Sequence, residues 1–453
     1  GVAAAWLDST PCIFVSGQVK RADLVGARGV RQMGFQEIDI VRMVAGITKY
    51  AVTITDPASV RYHVEKALYL ARAGRPGPVW LDIPLDVQAQ RIEPSALHGF
   101  DPSETEAPVA RAQVSAWVDE TLRLFALADR PVVLVGNGAR LAHAERDVLS
   151  AVEWLGAPVL TTWKSLDMLD ETHPLFAGRP GAVAQRGANF TQQNADWLLI
   201  LGARLDLGQT GYSHANFARA ALKVIVDVDP GEIAKLETKV AVPAVVDAGV
   251  FLRELLSRRD STRLPDRSAW LARAKEWQRR YPVFLPEYWE FDDGVSNYVL
   301  VEVLGEEMAA DDLLVPGSSG ACSEISMQAF RVKAGQRVLN SEGLGPMGFG
   351  IAASLGACLA SGGRRTVCLD GDGGFVMNVQ ELETVRRLGL PIKFFVLNND
   401  GYASIRSTQK AYFESRYVAS EPGSGLTLPD IRAVAGAFGI ATDRIASHAD
   451  VRD

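Results

Sequence analysis

With 453 residues, 47% of them hydrophobic and 22% charged, the chain is long enough for two or three domains of ordinary size, which excludes disordered and fibrous classes. A formal net charge of −7, with no basic cluster longer than an Arg-Arg pair, offers no electrostatic footprint for nucleic acid or an anionic membrane. The partner expected is a small molecule.

The chain opens with "GVAAAWLDSTPCIFVSGQV", an amphipathic helix already under way that leads into a strand. Short β-branched runs then recur between helical patterns: "PCIFVSG", "PVWLDIP", "PVVLVGNG", "PVLTTW", "WLLILGAR", "KVIVDVD", "RTVCLDGDG" and "IKFFVLNN". Continuous apolar strands alternating with helices predict parallel sheets covered on both faces, an α/β fold class. Two polar stretches, near residues 93–109 and 257–270, break the rhythm. They divide the chain into three tandem α/β domains with mainly parallel sheets: 1–95, 110–258 and 285–453, the first and last reading as incomplete. The run "GFGIAASLGACLASG" is too short and too rich in glycine for a membrane span, which needs about 20 apolar residues, and reads as a buried helix. Cys12, Cys322, Cys358 and Cys368 show no C-x-x-C spacing, so neither a disulfide framework nor a zinc site is expected; a reducing, cytoplasmic setting fits.

The densest chemistry lies in "GDGGFVMNVQELETVRRLGLPIKFFVLNNDGY", Gly371 to Tyr402. A strand ending in Gly-Asp-Gly exposes its carboxylate at the carboxyl edge of a parallel sheet, where α/β folds bind ligands. Asn378 is the expected N-cap of the next helix, with Glu381 in capping-box spacing, and Gly389 its end. A right-handed crossover returns the chain so that Asp372 and Asn399 emerge on one edge. With the carbonyl of Gly401 they form an all-oxygen partial shell suited to Mg²⁺, which takes its remaining ligands from phosphates and water. Gly373 and Gly374 are expected to let the backbone approach a phosphate.

Gly-Asp-Gly, 24 residues, then Asn-Asn, closing on "NNDGY", resembles the thiamine diphosphate motif of the acetolactate synthase and pyruvate decarboxylase superfamily. "GFQEIDIV", "GRPGPVWLDIPLDVQ", "LGARLD" and "GLGPMGFG" look like acetolactate synthase landmarks in the expected order. By that likeness the three segments are the pyrimidine-binding, central and diphosphate-binding domains of a thiamine diphosphate- and Mg²⁺-dependent enzyme that decarboxylates a 2-oxo acid and transfers the two-carbon unit to a second carbonyl, or simply releases it protonated. The resemblance implies that Met347 wedges beneath the cofactor, that Gly371, Gly373, Gly374, Ser318, Ser319, Gly345 and Tyr402 contact it, and that Phe35 and Gln36 match an active-site pair. It also implies a homodimer or homotetramer. "VGNGAR", "LGARLD" and "VDVDPGE" resemble the domain that binds FAD, with Gly136, Gly138, Gly202, Arg204 and Asp227 as the flavin contacts and Arg204 towards its diphosphate; some relatives bind ADP or nothing there. The family's pyrimidine-activating glutamate falls upstream of Gly1, and Glu37 is not that residue.

The acceptor side departs from the family. Gly208 in "GARLDLGQTG" stands where acetolactate synthases have an arginine, Leu85 replaces a lysine, and Ser404 and Thr408 replace a methionine and a tryptophan. Charge and bulk are lost together, which implies an acceptor without a carboxylate, with Arg406 and Tyr402 able to hydrogen-bond it. The pattern around "YASIR" resembles thiamine enzymes that transfer an acetyl unit to nucleotide-linked ketosugars. A true acetolactate synthase, a simple 2-oxo acid decarboxylase and a non-catalytic relative stand as alternatives.

Overall fold

The computed structural model describes residues 1–105, 109–318 and 320–452. Its contacts divide into two compact units, Gly1–Ala110 and Arg111–Asp453.

The first unit carries a three-stranded sheet, β1 (Cys12–Gln18), β2 (Tyr50–Thr53) and β3 (Pro78–Pro84), in the order β1-β3-β2. The helix Val2–Leu7 precedes β1, as the opening pattern predicts. One face of the sheet packs on the helix Val60–Arg72 through Ala67, Ala71, Val79 and Leu81. The strand β1 alternates in burial, and Val15 is 64% exposed on its other face.

The second unit holds two sheets. β4 (Pro131–Val135), β5 (Val159–Thr161), β6 (Trp197–Leu201), β7 (Leu222–Asp227) and β8 (Val240–Val245) form one in the order β5-β4-β6-β7-β8. Every residue of β4 and β6 is buried, because separate apolar clusters cover the two faces. The helix Ser268–Arg280, beyond the expected end of the central segment at residue 258, belongs to this layer: Trp270 and Ala274 pack with it and the Trp270 indole donates to the Pro131 carbonyl at 3.0 Å. β9 (Leu313–Pro316), β10 (Arg337–Val338), β11 (Thr366–Gly371) and β12 (Ile392–Leu397) form the other sheet, in the order β10-β9-β11-β12. All pairings in the three sheets are parallel. The run after "GLGPM" is the helix Phe349–Ala360, buried along Ile351, Ser354, Leu355 and Cys358. Among the described residues no helix is long and apolar enough to cross a membrane.

The two sheets of this unit are tied by ions. The fully buried Asp167 carboxylate accepts from Arg140 at 2.7 Å, from Arg337 at 2.8 Å and from the Val338 N–H at 3.0 Å. The fully buried Arg179 pairs with Glu171 at 2.6 Å and donates to the Phe330 carbonyl at 2.8 Å.

Candidate active site

β11 and β12 run in parallel register with Gly371 opposite Leu397, so the two motif loops leave the sheet side by side. Asp372 is 1% exposed. Its Oδ1 accepts from the Gly373 N–H at 2.8 Å, and its Oδ2 accepts from the N–H groups of Asn399 at 3.0 Å and Gly401 at 3.2 Å. A buried carboxylate is costly unless compensated; three backbone donors orient it and leave lone pairs for a cation. Among the described residues no group of three or more His, Cys, Asp or Glu could hold a metal. A cation here would have one carboxylate, the Asn399 amide oxygen and the Gly401 carbonyl, an all-oxygen set that fits Mg²⁺ carrying further oxygens of a diphosphate.

Arg406, expected to face an acceptor, is spent on this loop. Its Nη2 donates to Asn399 Oδ1 at 2.8 Å and to the Asn399 carbonyl at 3.1 Å, and its Nη1 donates to the Ser420 carbonyl at 3.1 Å. Gly401 has φ 153°, and a side chain there would run into the Ser420 carbonyl. Ser420, fully buried, was not legible as a site residue: it lies 14 positions from Arg406 and carries no local motif.

One expectation about the first motif changes. The helix begins at Asp372 itself (Asp372–Phe375), passes through a 3₁₀ turn and resumes at Glu381–Leu388, so Asn378 caps nothing; its amide donates to the Gly348 carbonyl at 2.9 Å. Gly389 ends the resumed helix in the left-handed conformation, as expected. The space left by Gly373 is taken by the Tyr402 ring, and that left by Gly374 by the Asp370 carboxylate, 2.7 Å from where its Cβ would stand. A side chain at either glycine would therefore displace the Tyr402 ring or the Asp370 carboxylate. Gly371 is the open one, with Cys322 Sγ nearest at 3.8 Å from such a Cβ.

Asp370 went unnoticed in the sequence, although an acid closing the apolar run "TVCLD" was a signal. It is buried, burial pushes its carboxyl up to about 6 against the backbone N–H groups of Gly371 and Gly350, and Oδ1 accepts from the Gly371 N–H at 2.9 Å.

Around this edge the structure gathers other expected residues. Gly320, in the loop after β9, has φ 60°, and Ser404 Oγ would lie 3.0 Å from a Cβ on it. Gly345 has φ 56° and faces the Ser318 carbonyl. Met347, 38% exposed, precedes the Phe349–Ala360 helix. Ser319 lies outside the described residues. Tyr402 precedes the helix Ala403–Tyr412, where the Thr408 hydroxyl donates to the Ser404 carbonyl at 3.1 Å, which commits it to its own helix.

The other candidate residues lie on other sheets. Gly208 sits in the turn after β6, and its carbonyl accepts from the Ala182 N–H at 2.8 Å. The N–H groups of Gly136, Gly138 and Gly202 donate to the carbonyls of Leu201, Gly202 and Val226, and a Cβ on Gly138 would lie 2.7 Å from Gly202 Cα. These glycines let strand ends pack on one another, and their N–H groups are not available to a flavin diphosphate. Arg204 (φ 46°) pairs with Asp206 at 3.0 Å, and Asp227 accepts from the Asp229 N–H at 2.9 Å. In the first unit, Leu85 follows β3 directly and Phe35 is 86% exposed beside Gln36, which has φ 64°. The buried Glu37 carboxylate accepts from the N–H groups of Val25, Met33 and Gly34, which hold it below the usual carboxylate range, the Val25 bond most strongly. It shapes this loop.

Residues 318–453 match the C-terminal TPP-binding domain of thiamine pyrophosphate enzymes, and residues 118–255 match their central domain. The acetolactate synthase large subunit of Cyanidium caldarium is 31% identical over 100% of this chain and 76% of its own length. That of Parasynechococcus marenigrum is 33% identical, over 100% and 71%. The chain belongs to the acetolactate synthase family of thiamine diphosphate enzymes. A probable acetolactate synthase large subunit of Methanocaldococcus jannaschii is similar at 31%, over 100% and 75%. Asp372, Asn399 and Gly401 lie within the residues that match the TPP-binding domain.

Proposed function

We propose that this chain, with thiamine diphosphate and Mg²⁺ bound, decarboxylates a 2-oxo acid such as pyruvate and transfers the two-carbon unit to a ketone that carries no carboxylate, a nucleotide-linked ketosugar being one such acceptor. Asp372, Asn399 and the Gly401 carbonyl hold the metal. Gly371, Ser318, Ser319, Gly345 and Tyr402 line the cofactor, with Gly373 and Gly374 acting through the Tyr402 and Asp370 groups that fill their space. When bound, the cofactor supplies the electron sink for loss of CO₂ and the carbon nucleophile for ligation. Met347 supports the cofactor's bent shape, and Phe35 and Gln36, on the first unit, match the family's active-site pair.

The observation that carries the acceptor class is the commitment of Arg406 to Asn399 and Ser420. With glycine at 208 and leucine at 85, Arg406 is the one cation left among the acceptor-side residues, and its Nη1 and Nη2 groups already donate to the Ser420 and Asn399 oxygens. Loss of an arginine–carboxylate pair from a desolvated site costs about 2–5 kcal/mol, enough to lower use of pyruvate as acceptor well over tenfold. A second reading, a true acetolactate synthase, is favoured by likeness to acetolactate synthase large subunits along the whole chain. The two separate on Gly208→Arg. A Cβ at Gly208 meets nothing nearer than Asp206 Oδ1 at 3.4 Å, so the arginine can be built. Its products should shift towards acetolactate; an unchanged product ratio contradicts the proposed acceptor class.

Two extensions belong to the same reading. A flavin without redox duty would lie at the carboxyl edge of β4–β8, with Arg204 and Asp227 as the remaining contacts; an absorbance near that of free flavin, released on denaturation, checks it. A homodimer or homotetramer is supported by the apolar residues that the first unit exposes, among them Val15, Phe35 and Met43.

A further inference from the structure

Away from the motif edge, the segment leading from the five-stranded to the four-stranded sheet walls a cavity of about 270 Å³. Arg186, the first residue of the helix Arg186–Gln193, lies over the Tyr281 ring at 4.8 Å from its centroid. Arg280, the last residue of Ser268–Arg280, is 5.7 Å from the same centroid. Among the described residues neither guanidinium has a carboxylate within ion-pair distance, in a chain of net charge −7. Both guanidiniums are exposed, and two like charges beside one ring make the spot electropositive, which favours an anion. The facing wall is aromatic: Tyr288 and Tyr298 stack with centroids 4.7 Å apart and planes 25° from parallel. The Tyr298 hydroxyl donates to Gln328 Oε1 at 2.7 Å, which fixes the ring.

We propose that this cavity binds a nucleoside monophosphate, the phosphate on Arg186 and Arg280 and the heterocycle against Tyr288 and Tyr298. Guanidinium forks match phosphate oxygens in pairs, and bases stack on aromatic side chains whatever their sequence identity. The volume lies just under the roughly 300 Å³ at which ordinary ligand pockets begin, and the pocket is open to solvent on one side, so it suits a ligand on the scale of a single nucleotide. No residue of the Asp372 cluster takes part, so the site stands or falls independently of the thiamine chemistry.

Equilibrium dialysis of labelled AMP against the whole chain tests it, with inorganic phosphate and adenosine in parallel arms. Saturable AMP binding is expected, about tenfold or more tighter than either fragment. Arg186→Gln and Arg280→Gln, each with an unchanged circular dichroism spectrum, should each weaken it at least about tenfold. Absence of saturable binding at millimolar AMP and low salt would overturn the site, as would binding untouched in both variants. Phosphate binding as tightly as AMP would remove the tyrosine wall from the recognition and with it the ligand class.

Discussion

Asp372 concentrates three structural demands in one side chain: it is buried, it accepts from three backbone N–H groups, and it is the one carboxylate of the proposed metal shell. Asp372→Ala should therefore abolish Mg²⁺-dependent binding of thiamine diphosphate, a loss of about 100-fold or more, while the circular dichroism spectrum stays native. Calorimetry with unchanged affinity would contradict it. Residue type and spacing single out Asp372, Asn399 and Gly401, and the structure brings the Asn399 and Gly401 N–H groups onto the Asp372 carboxylate. The role of Arg406 was not legible, since it depends on a carbonyl at Ser420 brought back by a loop. A second residue-scale prediction concerns Lys49, whose Nζ donates to the Ala73 carbonyl at 2.5 Å and whose pKa burial lowers from 10.5 to about 8. Because the folded pKa lies below the unfolded one, the unfolded chain binds more protons between those values, and stability rises with pH across that window. The thermal midpoint of the native chain, relative to that of Lys49→Met, should climb between pH 8 and about pH 10. A difference that stays flat refutes the shift.

At the scale of elements, the long apolar strands were readable because both of their faces are covered, as in β4 and β6. β8 was not, because Pro243 interrupts it; the proline is tolerated at the edge of its sheet. β9 escaped for another reason. It has only four residues, too few for a pattern, although it sits centrally between β10 and β11. The capping expectation at Asn378 failed because a helix, a 3₁₀ turn and a second helix share one stretch, and only tertiary contacts such as that of Asn378 with Gly348 decide where each begins. The tie between the two sheets of the second unit rests on Asp167. Asp167→Ala removes the shared acceptor of Arg140, Arg337 and the Val338 N–H, which should cost about 3 kcal/mol, the lower end for breaking a buried pair since Arg337 is partly exposed. Urea denaturation should show the second unit unfolding at a lower midpoint; a midpoint within error of the native chain would show that the cluster carries no net stability.

For the whole molecule, three parallel sheets, two of them in one compact unit, form the frame, and the chemistry of the family sits on strand ends at a carboxyl edge. The fold class could be read from the chain because its hydrophobic pattern is regular, and the motif spacing foretold that Asp372 and Asn399 meet at one sheet edge. The proposed acceptor class rests on positions that have lost charge, beside Arg406, which donates to Asn399 and Ser420. The most direct test supplies ¹³C-labelled pyruvate with thiamine diphosphate and Mg²⁺ to the unaltered protein, alone and in competition with an uncharged ketone or a nucleotide-linked ketosugar, and identifies the labelled products by mass spectrometry. Pyruvate should be consumed as donor and the label should pass mainly to the carboxylate-free acceptor, with acetolactate a minor product. Acetolactate as the main product in the presence of those acceptors would contradict the account.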